Sequence, residues 1–278
     1  MKKVCVIANA GKETAAERAE QVREFFLDRG IECVVLLDDF SEKTSYAPVL
    51  QDDMECAVVL GGDGTLIYVA RKLAEKKIPV FGINMGNLGF LTHADSGKAR
   101  NALEALISGK YCIEERMMLE ASVDGKDFGT ALNDVVITRN GFSRIISVGI
   151  FVNGTAVCNY RGDGVIVATP TGSTGYNMSA GGPIVSPAAR LMILTPICPH
   201  TFNSRSIVLP ECDTIEVEVC ADRNGFDDER QLSFDGGNVF NLRAGDRIEI
   251  KAATESTRII RIKKISFIEQ LRNKMGNK

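Results

Sequence analysis

The stretch Gly61-Gly62-Asp63-Gly64-Thr65 sets one carboxylate and one hydroxyl among three glycines, directly after the apolar run Ala57-Val58-Val59-Leu60. An apolar run this short and β-branched reads as a buried strand. Glycines permit positive φ and have no Cβ, so a sharp turn here would bring backbone close to a ligand. Successive N–H groups with a helix N-terminus behind them form a concave anion site suited to phosphates. A carboxylate beside bound phosphate makes chemical sense only with a metal ion, or with a hydroxyl for it to deprotonate. The competing reading is an ordinary strand-to-helix turn in which Asp63 is the N-cap.

Two further blocks carry comparable chemistry. Asn84-Met85-Gly86-Asn87-Leu88-Gly89-Phe90-Leu91 follows another apolar run. The longer block, from Arg161 to Tyr176, holds a Gly162-Asp163-Gly164 turn, a strand at 165–168 and then Thr169-Pro170-Thr171-Gly172-Ser173-Thr174-Gly175. Its continuation, Ser173-Thr174-Gly175-Tyr176-Asn177-Met178-Ser179, reads as a helix start whose hydroxyls and free N–H groups could hold a polar ligand. Turn and cap chemistry without function is the alternative there.

Several lookalikes drop out. Gly11-Lys12-Glu13-Thr14 lacks the earlier glycine of a Walker A loop, and Glu13 separates its Lys and Thr. The 82–89 stretch has no G-x-G-x-x-G, and Gly172-Ser173-Thr174-Gly175 lacks the spacing of a nucleophile elbow. What remains is phosphoryl transfer without a Walker A lysine. That chemistry is mostly positioning and charge stabilisation, plus a residue that orients or deprotonates the attacking hydroxyl, a role that suits Asp63.

Bulk properties narrow the class. A net charge of −3 with no long Lys/Arg block argues against a nucleic-acid binder. The apolar N-terminal stretch ends at Asn9, too short for an export signal or a membrane span. Eight cysteines without a C-x-x-C pair read as reduced thiols in a cytoplasmic protein. With only His93 and His200, no His/Cys metal cluster can be assembled, so direct protein ligation of a metal is not expected. Any metal would be hard, oxygen-bound and carried by a phosphate substrate.

The elements that must position these residues follow from hydrophobic periodicity. Strands are expected at 4–8, 31–37, 57–60 and 78–83, with helices at 14–29, 66–75 and 95–108 and a mobile polar loop at 38–53. Alternation of this kind calls for a parallel, Rossmann-like α/β sheet with ligands at the carboxyl ends of its strands. From Tyr111 the period changes to short β runs at 119–124, 128–136, 145–152, 156–160, 207–209, 214–219, 231–234, 247–251 and 258–262. Asp124-Gly125, Asn140-Gly141 and Asn153-Gly154 punctuate them as hairpin signals. A two-sheet antiparallel sandwich is expected, then a short helix at 265–275.

Taken in order, these motifs resemble the NAD kinase family. The match runs through Gly61-Gly62-Asp63-Gly64-Thr65, Asn84-x-Gly86-x-Leu88-Gly89-Phe90, Asn133-Asp134, Gly162-Asp163-Gly164, Thr169-Pro170-Thr171-Gly172-Ser173-Thr174, Gly181-Gly182-Pro183-Ile184, Thr195-Pro196-Ile197-Cys198-Pro199-His200 and Asp235-Gly236. The first motif is shared with lipid kinases of a wider superfamily, which stand as an alternative beside a non-catalytic dinucleotide-binding regulator. The resemblance implies transfer of the terminal phosphate of ATP, or of polyphosphate, to the 2′-hydroxyl of the adenosine ribose of NAD. It implies Asp63 as proton acceptor, Mg²⁺ as the divalent ion, and a homo-oligomer, dimer or tetramer.

At the nucleotide site the resemblance places Gly64 and Phe90, Asn133 and Asp134 against adenosine, and Arg144, Arg161 and Asp163 along the dinucleotide. It places Thr174, Gly175, Tyr176, Asn177, Met178 and Ser179 around the adenine, and Cys198 where a neighbouring subunit contributes. Three positions depart from the family pattern: Asp134 stands for a usual Glu, Gly175 for a frequent Ala, and Gly237 for a common Gln. The implied architecture is an α/β domain over 1–114, joined by 263–278, and a β-rich dinucleotide-binding and oligomerisation domain over 115–262.

Overall fold

The computed structural model describes residues 1–11, 13–40, 46, 50, 53–85, 89–92, 94–95, 99–141, 145–200, 204–221, 230–262 and 266–276. The chain forms two compact units, Met1–Glu115 with Ser256–Lys278, and Arg116–Glu255.

The first unit alternates strand and helix: β1 (Lys3–Asn9), α1 (Glu13–Leu27), β2 (Glu32–Asp38), β3 (Cys56–Leu60), α2 (Asp63–Leu73), β4 (Val80–Asn84), β5 (Ala94–Asp95) and α3 (Ala99–Ile107). All pairings are parallel, in the order β2-β1-β3-β4. β5 pairs alongside Ile83 and Asn84. β3 and β4 are buried along their whole length, as strands covered on both faces must be. Val4, Val6, Val58, Leu60, Phe81 and Ile83 share one core with Phe26 of α1 and Leu103 and Leu106 of α3. Gly82 faces the other way, where a Cβ would come within 3.2 Å of Leu66 of α2. The order reverses between β1 and β3, which opens a crevice at their carboxyl ends.

The second unit is all β. Its strands are β6 (Cys112–Val123), β7 (Lys126–Ala131), β8 (Asp134–Arg139), β9 (Ile146–Val152), β10 (Thr155–Gly162), β11 (Gly164–Ala168), β12 (Leu191–Ile197), β13 (Ile207–Pro210), β14 (Ile215–Val219), β15 (Arg230–Phe234), β16 (Gly237–Leu242) and β17 (Arg247–Arg261). β6 begins, and β17 ends, in the first unit. One antiparallel sheet runs β13-β12-β11-β8-β15-β16, and the other joins β10, β9, β14 and β17, with β6 beside β17 and β7 beside β6. Alternate residues of both sheets, such as Val135, Ile137, Val165, Val167, Val148, Ile150 and Val217, meet in a single core. The outer face of the first sheet, with Val136, Ile166 and Ile193, is covered by Ala180, Val185 and Leu191. Between β11 and β12 lie a 3-10 turn (Gly172–Thr174) and the one-turn α4 (Tyr176–Ser179). The last element, α5 (Phe267–Met275), is capped by Ser266, which accepts from Glu269 N.

The α/β unit and the antiparallel sandwich are the expected classes, with local corrections. The run at 128–136 breaks at Leu132-Asn133 into β7 and β8, which belong to different sheets. Asn140-Gly141 is no hairpin, because β8 pairs with β11 and β15 while β9 pairs with β10 and β14. The runs at 247–251 and 258–262 are one strand, β17. β12 and β16 have no place among the expected runs: Pro196 interrupts the first, and the second depends on the Asp235-Gly236 turn before it. The helix expected at 95–108 begins at Ala99, since Asp95 pairs with Asn84 as strand. Asp124-Gly125, Asn153-Gly154 and Asp235-Gly236 do close hairpins, with both residues at positive φ. Most of the loop expected at 38–53 lies outside the described residues; Tyr46 within it is buried and donates to Asp38.

Candidate active site

In the first unit, Gly62 is the N-cap of α2 and Asp63 is already helical, with no side chain capping the helix. Asp63 is therefore not the N-cap, and the first N–H groups of α2 lack a side-chain partner. None of Gly61, Gly62 and Gly64 has positive φ, which corrects the expected reason for the glycines. Gly61 serves by lacking a Cβ atom. One on Gly61 would lie 2.6 Å from Thr65, while Gly62 and Gly64 face open space. A cavity of about 400 Å³ at the carboxyl ends of β1, β3 and β4 is lined by Gly61, Gly62, Thr65, Asn9, Asn84 and Arg18, among others. The helix N-terminus and the bare turn give it the character of an anion site.

The Asp63 side chain turns to the second glycine-bearing loop. Its Oδ2 accepts from Phe90 N at 2.6 Å. Its Oδ1 accepts from Leu91 N at 3.2 Å, from Thr92 N at 3.1 Å and from the Thr92 hydroxyl at 3.2 Å. Among the described residues these four donors leave one lone-pair direction on Oδ2 open. Phe90 is held in turn: Arg261 reaches its carbonyl at 3.4 Å while bonding Glu114 at 2.9 Å, and Lys274 lies 5.5 Å from the centre of its ring. Residues 86–88 and His93 lie outside the described residues. Among the described residues, no group of three or more His, Cys, Asp and Glu is placed to hold a metal.

In the second unit, the Leu132-Asn133 break between β7 and β8 is tied down by Asp235. Its Oδ2 accepts from Leu132 N at 2.9 Å, and its Oδ1 from Asn133 N at 2.6 Å and Asp134 N at 3.1 Å. Thr169 closes the same break, donating to Leu132 O at 2.6 Å and accepting from Gly172 N at 3.1 Å. Gly172 sits so close that a Cβ would lie 2.1 Å from Asn133 O. Asn133 Oδ1 is buried and has no partner among the described residues.

Asp134 is 5% exposed. Burial, then the charge of Asp235, pushes its carboxyl up to about 7. Burial also raises the Tyr176 hydroxyl, followed by the charges of Cys198, Asp163 and Asp134, so these four side chains share one neighbourhood. Tyr176, Met178, Ser179, Cys198 and Arg161 are exposed, and Thr174 and Gly175 are half-buried. Asp163 is paired with Arg139, whose Nε donates to it at 2.6 Å.

Asn177 departs from the expectation. It is fully buried and donates to Ser173 O and Pro183 O, while its Oδ1 accepts from Thr195 at 2.7 Å. Both donors of its amide and one lone pair of Oδ1 are engaged in holding the turn. The expected helix start around it is only the 3-10 turn and α4, too short for a helix N-terminal site. Arg144 lies outside the described residues.

The sequence is similar to known proteins along its whole length. The family models for the ATP-NAD kinase N-terminal and C-terminal domains match residues 4–111 and 132–262. The NAD kinase of Lachnoclostridium phytofermentans is 44% identical over 286 residues, with 100% of each chain covered. The chain belongs to the NAD kinase family. Among solved structures, the fold is similar to a yeast NADH kinase complexed with NADH, with a TM-score of 0.84, 23% identity, and 99% of this chain and 88% of that chain covered. It is also similar to an NAD kinase from Archaeoglobus fulgidus in complex with ATP, with a TM-score of 0.78, 26% identity, and 99% and 98% covered.

Asp235, Arg139 and Thr169 brace the candidate site residues and Arg18 lines the cavity, and motif reading leaves all four without a role. Asp235 is within reach of the sequence: an Asp-Gly pair between β runs is a hairpin signal. Arg139 and Arg18 have no local signal at all.

Proposed function

We propose that this NAD kinase family member transfers the terminal phosphate of ATP to the 2′-hydroxyl of the adenosine ribose of NAD, giving NADP, with Asp63 accepting the hydroxyl proton. The observation that carries this reading is the Asp63 carboxylate, held by four donors at the lip of a phosphate-type turn, with one lone-pair direction of Oδ2 unengaged among the described residues. The Gly61–Thr65 turn and the N-terminus of α2 meet the phosphates, and their N–H groups stabilise charge as it develops. The second unit supplies recognition. Asn133 Oδ1 accepts from the adenosine part, and Asp134, Asp163, Tyr176 and Cys198 surround the dinucleotide.

The donor set fits a metal that arrives on the nucleotide. The cavity offers neutral oxygens at Thr65 and the asparagines, with no carboxylate cage around them among the described residues. A bound Mg²⁺ would neutralise charge on the phosphate oxygens. Eight free thiols suit a reducing cytoplasm, and no helix among the described residues is long and apolar enough to cross a membrane. The assembly we propose is a homo-oligomer, dimer or tetramer, with Cys198 near a subunit contact.

The test is direct. Purified protein is incubated with NAD and Mg-ATP, and NADP is detected with an NADP-specific dehydrogenase; arms with polyphosphate and with NADH define donor and acceptor. No NADP with any donor would overturn the reading. Sedimentation of the same sample reads the oligomer.

A further inference from the structure

We propose that Arg18 of α1 binds the donor's phosphates, gripping those that are not transferred. The inference rests on the kinase reading above and adds a residue that no motif identifies. Thr14 and Arg18 stand one turn apart on α1 and both line the 400 Å³ cavity that holds Gly61, Gly62 and Thr65. Among the described residues Arg18 is the one charged side chain in that lining. It also lines an adjoining cavity of about 500 Å³, with Gln21, Val22, Ile83 and Ala99, so it stands at the seam between the two.

Among the described residues the guanidinium is short of partners. Arg18 is half-buried, and its Nη1 meets only the thioether of Met85, at 3.7 Å, with no ion pair among the described residues. Thioether sulfur is a weak acceptor, whereas a guanidinium carries five donors in a fork that matches phosphate oxygens. Half-burying such a group without an anion is costly. The glycine turn, which lacks a lysine, lines the same space with Gly61, Gly62 and Thr65, and the first N–H groups of α2 behind it have no intrahelical acceptor. A polyphosphate chain entering the cavity would satisfy both at once.

An interaction with phosphates that stay on the donor acts equally in ground state and transition state, so its loss raises KM and leaves kcat in place. In Arg18→Ala and Arg18→Gln, the KM for Mg-ATP should rise by about ten- to a hundredfold, the range for losing one or two charge-assisted hydrogen bonds. The KM for NAD and the melting temperature should stay at wild-type values, and Arg18→Lys should recover part of the loss. Calorimetric titration of ATP into wild type and Arg18→Gln reads the same contact without turnover, so it tests Arg18 even if NADP formation fails. Unchanged ATP affinity in a folded Arg18→Gln protein would overturn the assignment. So would equal losses for ATP and NAD with a lowered melting temperature, which would mark a structural residue.

Discussion

The Asp63 carboxylate fills the space where a Gly89 side chain would stand: a Cβ on Gly89 would lie 1.8 Å from Asp63 Oδ1. An alanine there cannot coexist with the carboxylate in its present place, and moving it breaks the bonds from Phe90, Leu91 and Thr92. Gly89→Ala is therefore expected to keep the fold and lower kcat for NADP formation by about 10²–10⁴-fold, as loss of a general base does. Circular dichroism and steady-state kinetics check it. Wild-type turnover would show that Asp63 need not sit there.

Replacing Asp63 itself separates its two duties. Asp63→Asn still offers one acceptor oxygen to the loop, so its stability loss should stay within about 1–3 kcal/mol while kcat falls by about 10²–10⁴-fold. Asp63→Ala removes every acceptor and should lower the melting temperature further. Equal melting temperatures for the two variants would count against the tether.

Asp235 carries a prediction about stability first and binding second. Asp235→Ala leaves the N–H groups of Leu132, Asn133 and Asp134 without their acceptor, a cost on the order of 4 kcal/mol. Asp235→Asn should cost about half of that. Urea midpoints report both, and the KM for NAD should rise in step as Asn133 loses its place. A stable Asp235→Ala protein would show that the break at Leu132-Asn133 has other support.

Asp134 links stability to pH. Its carboxyl titrates at about 7 in the fold, against about 3.9 in an unfolded chain. Between those values the folded state holds a proton that the unfolded chain has released. Stability from this group therefore falls as pH rises from about 4 to about 7, then levels off. Urea unfolding of wild type and Asp134→Asn at pH 5 and pH 8 should show a steeper loss in the wild type. Matching losses would place the titration of Asp134 elsewhere.

Elements whose pattern is local are readable from sequence. The buried strands β1, β3 and β4 are built on short apolar runs, and Asn153-Gly154 names its own hairpin. What escapes a reading of the sequence is whatever depends on partners far along the chain. Nothing near 128–136 says that the run must divide between two sheets, because Asp235 makes the division from a hundred residues away. The glycines of the 61–65 turn suggest a conformational reason when the actual one is contact, Gly61 against Thr65 and Gly89 against Asp63. Asn177 shows the same limit from the other side. Its place in a motif suggests a ligand contact, and only the fold shows that its amide is engaged by Ser173, Pro183 and Thr195.

That long reach also orders events during synthesis. The turn bearing Asn133 and Asp134 receives its acceptor from a residue 101–103 positions later. Chains emerge at about 5–20 residues per second, so a ribosome needs some seconds after residue 134 before Asp235 exists to close the turn. Until then β8 lacks one of its two sheet neighbours, β15, and its edge is open to other strands. Nascent chains stalled before residue 235 should therefore be the species most prone to mispairing and most in need of chaperones.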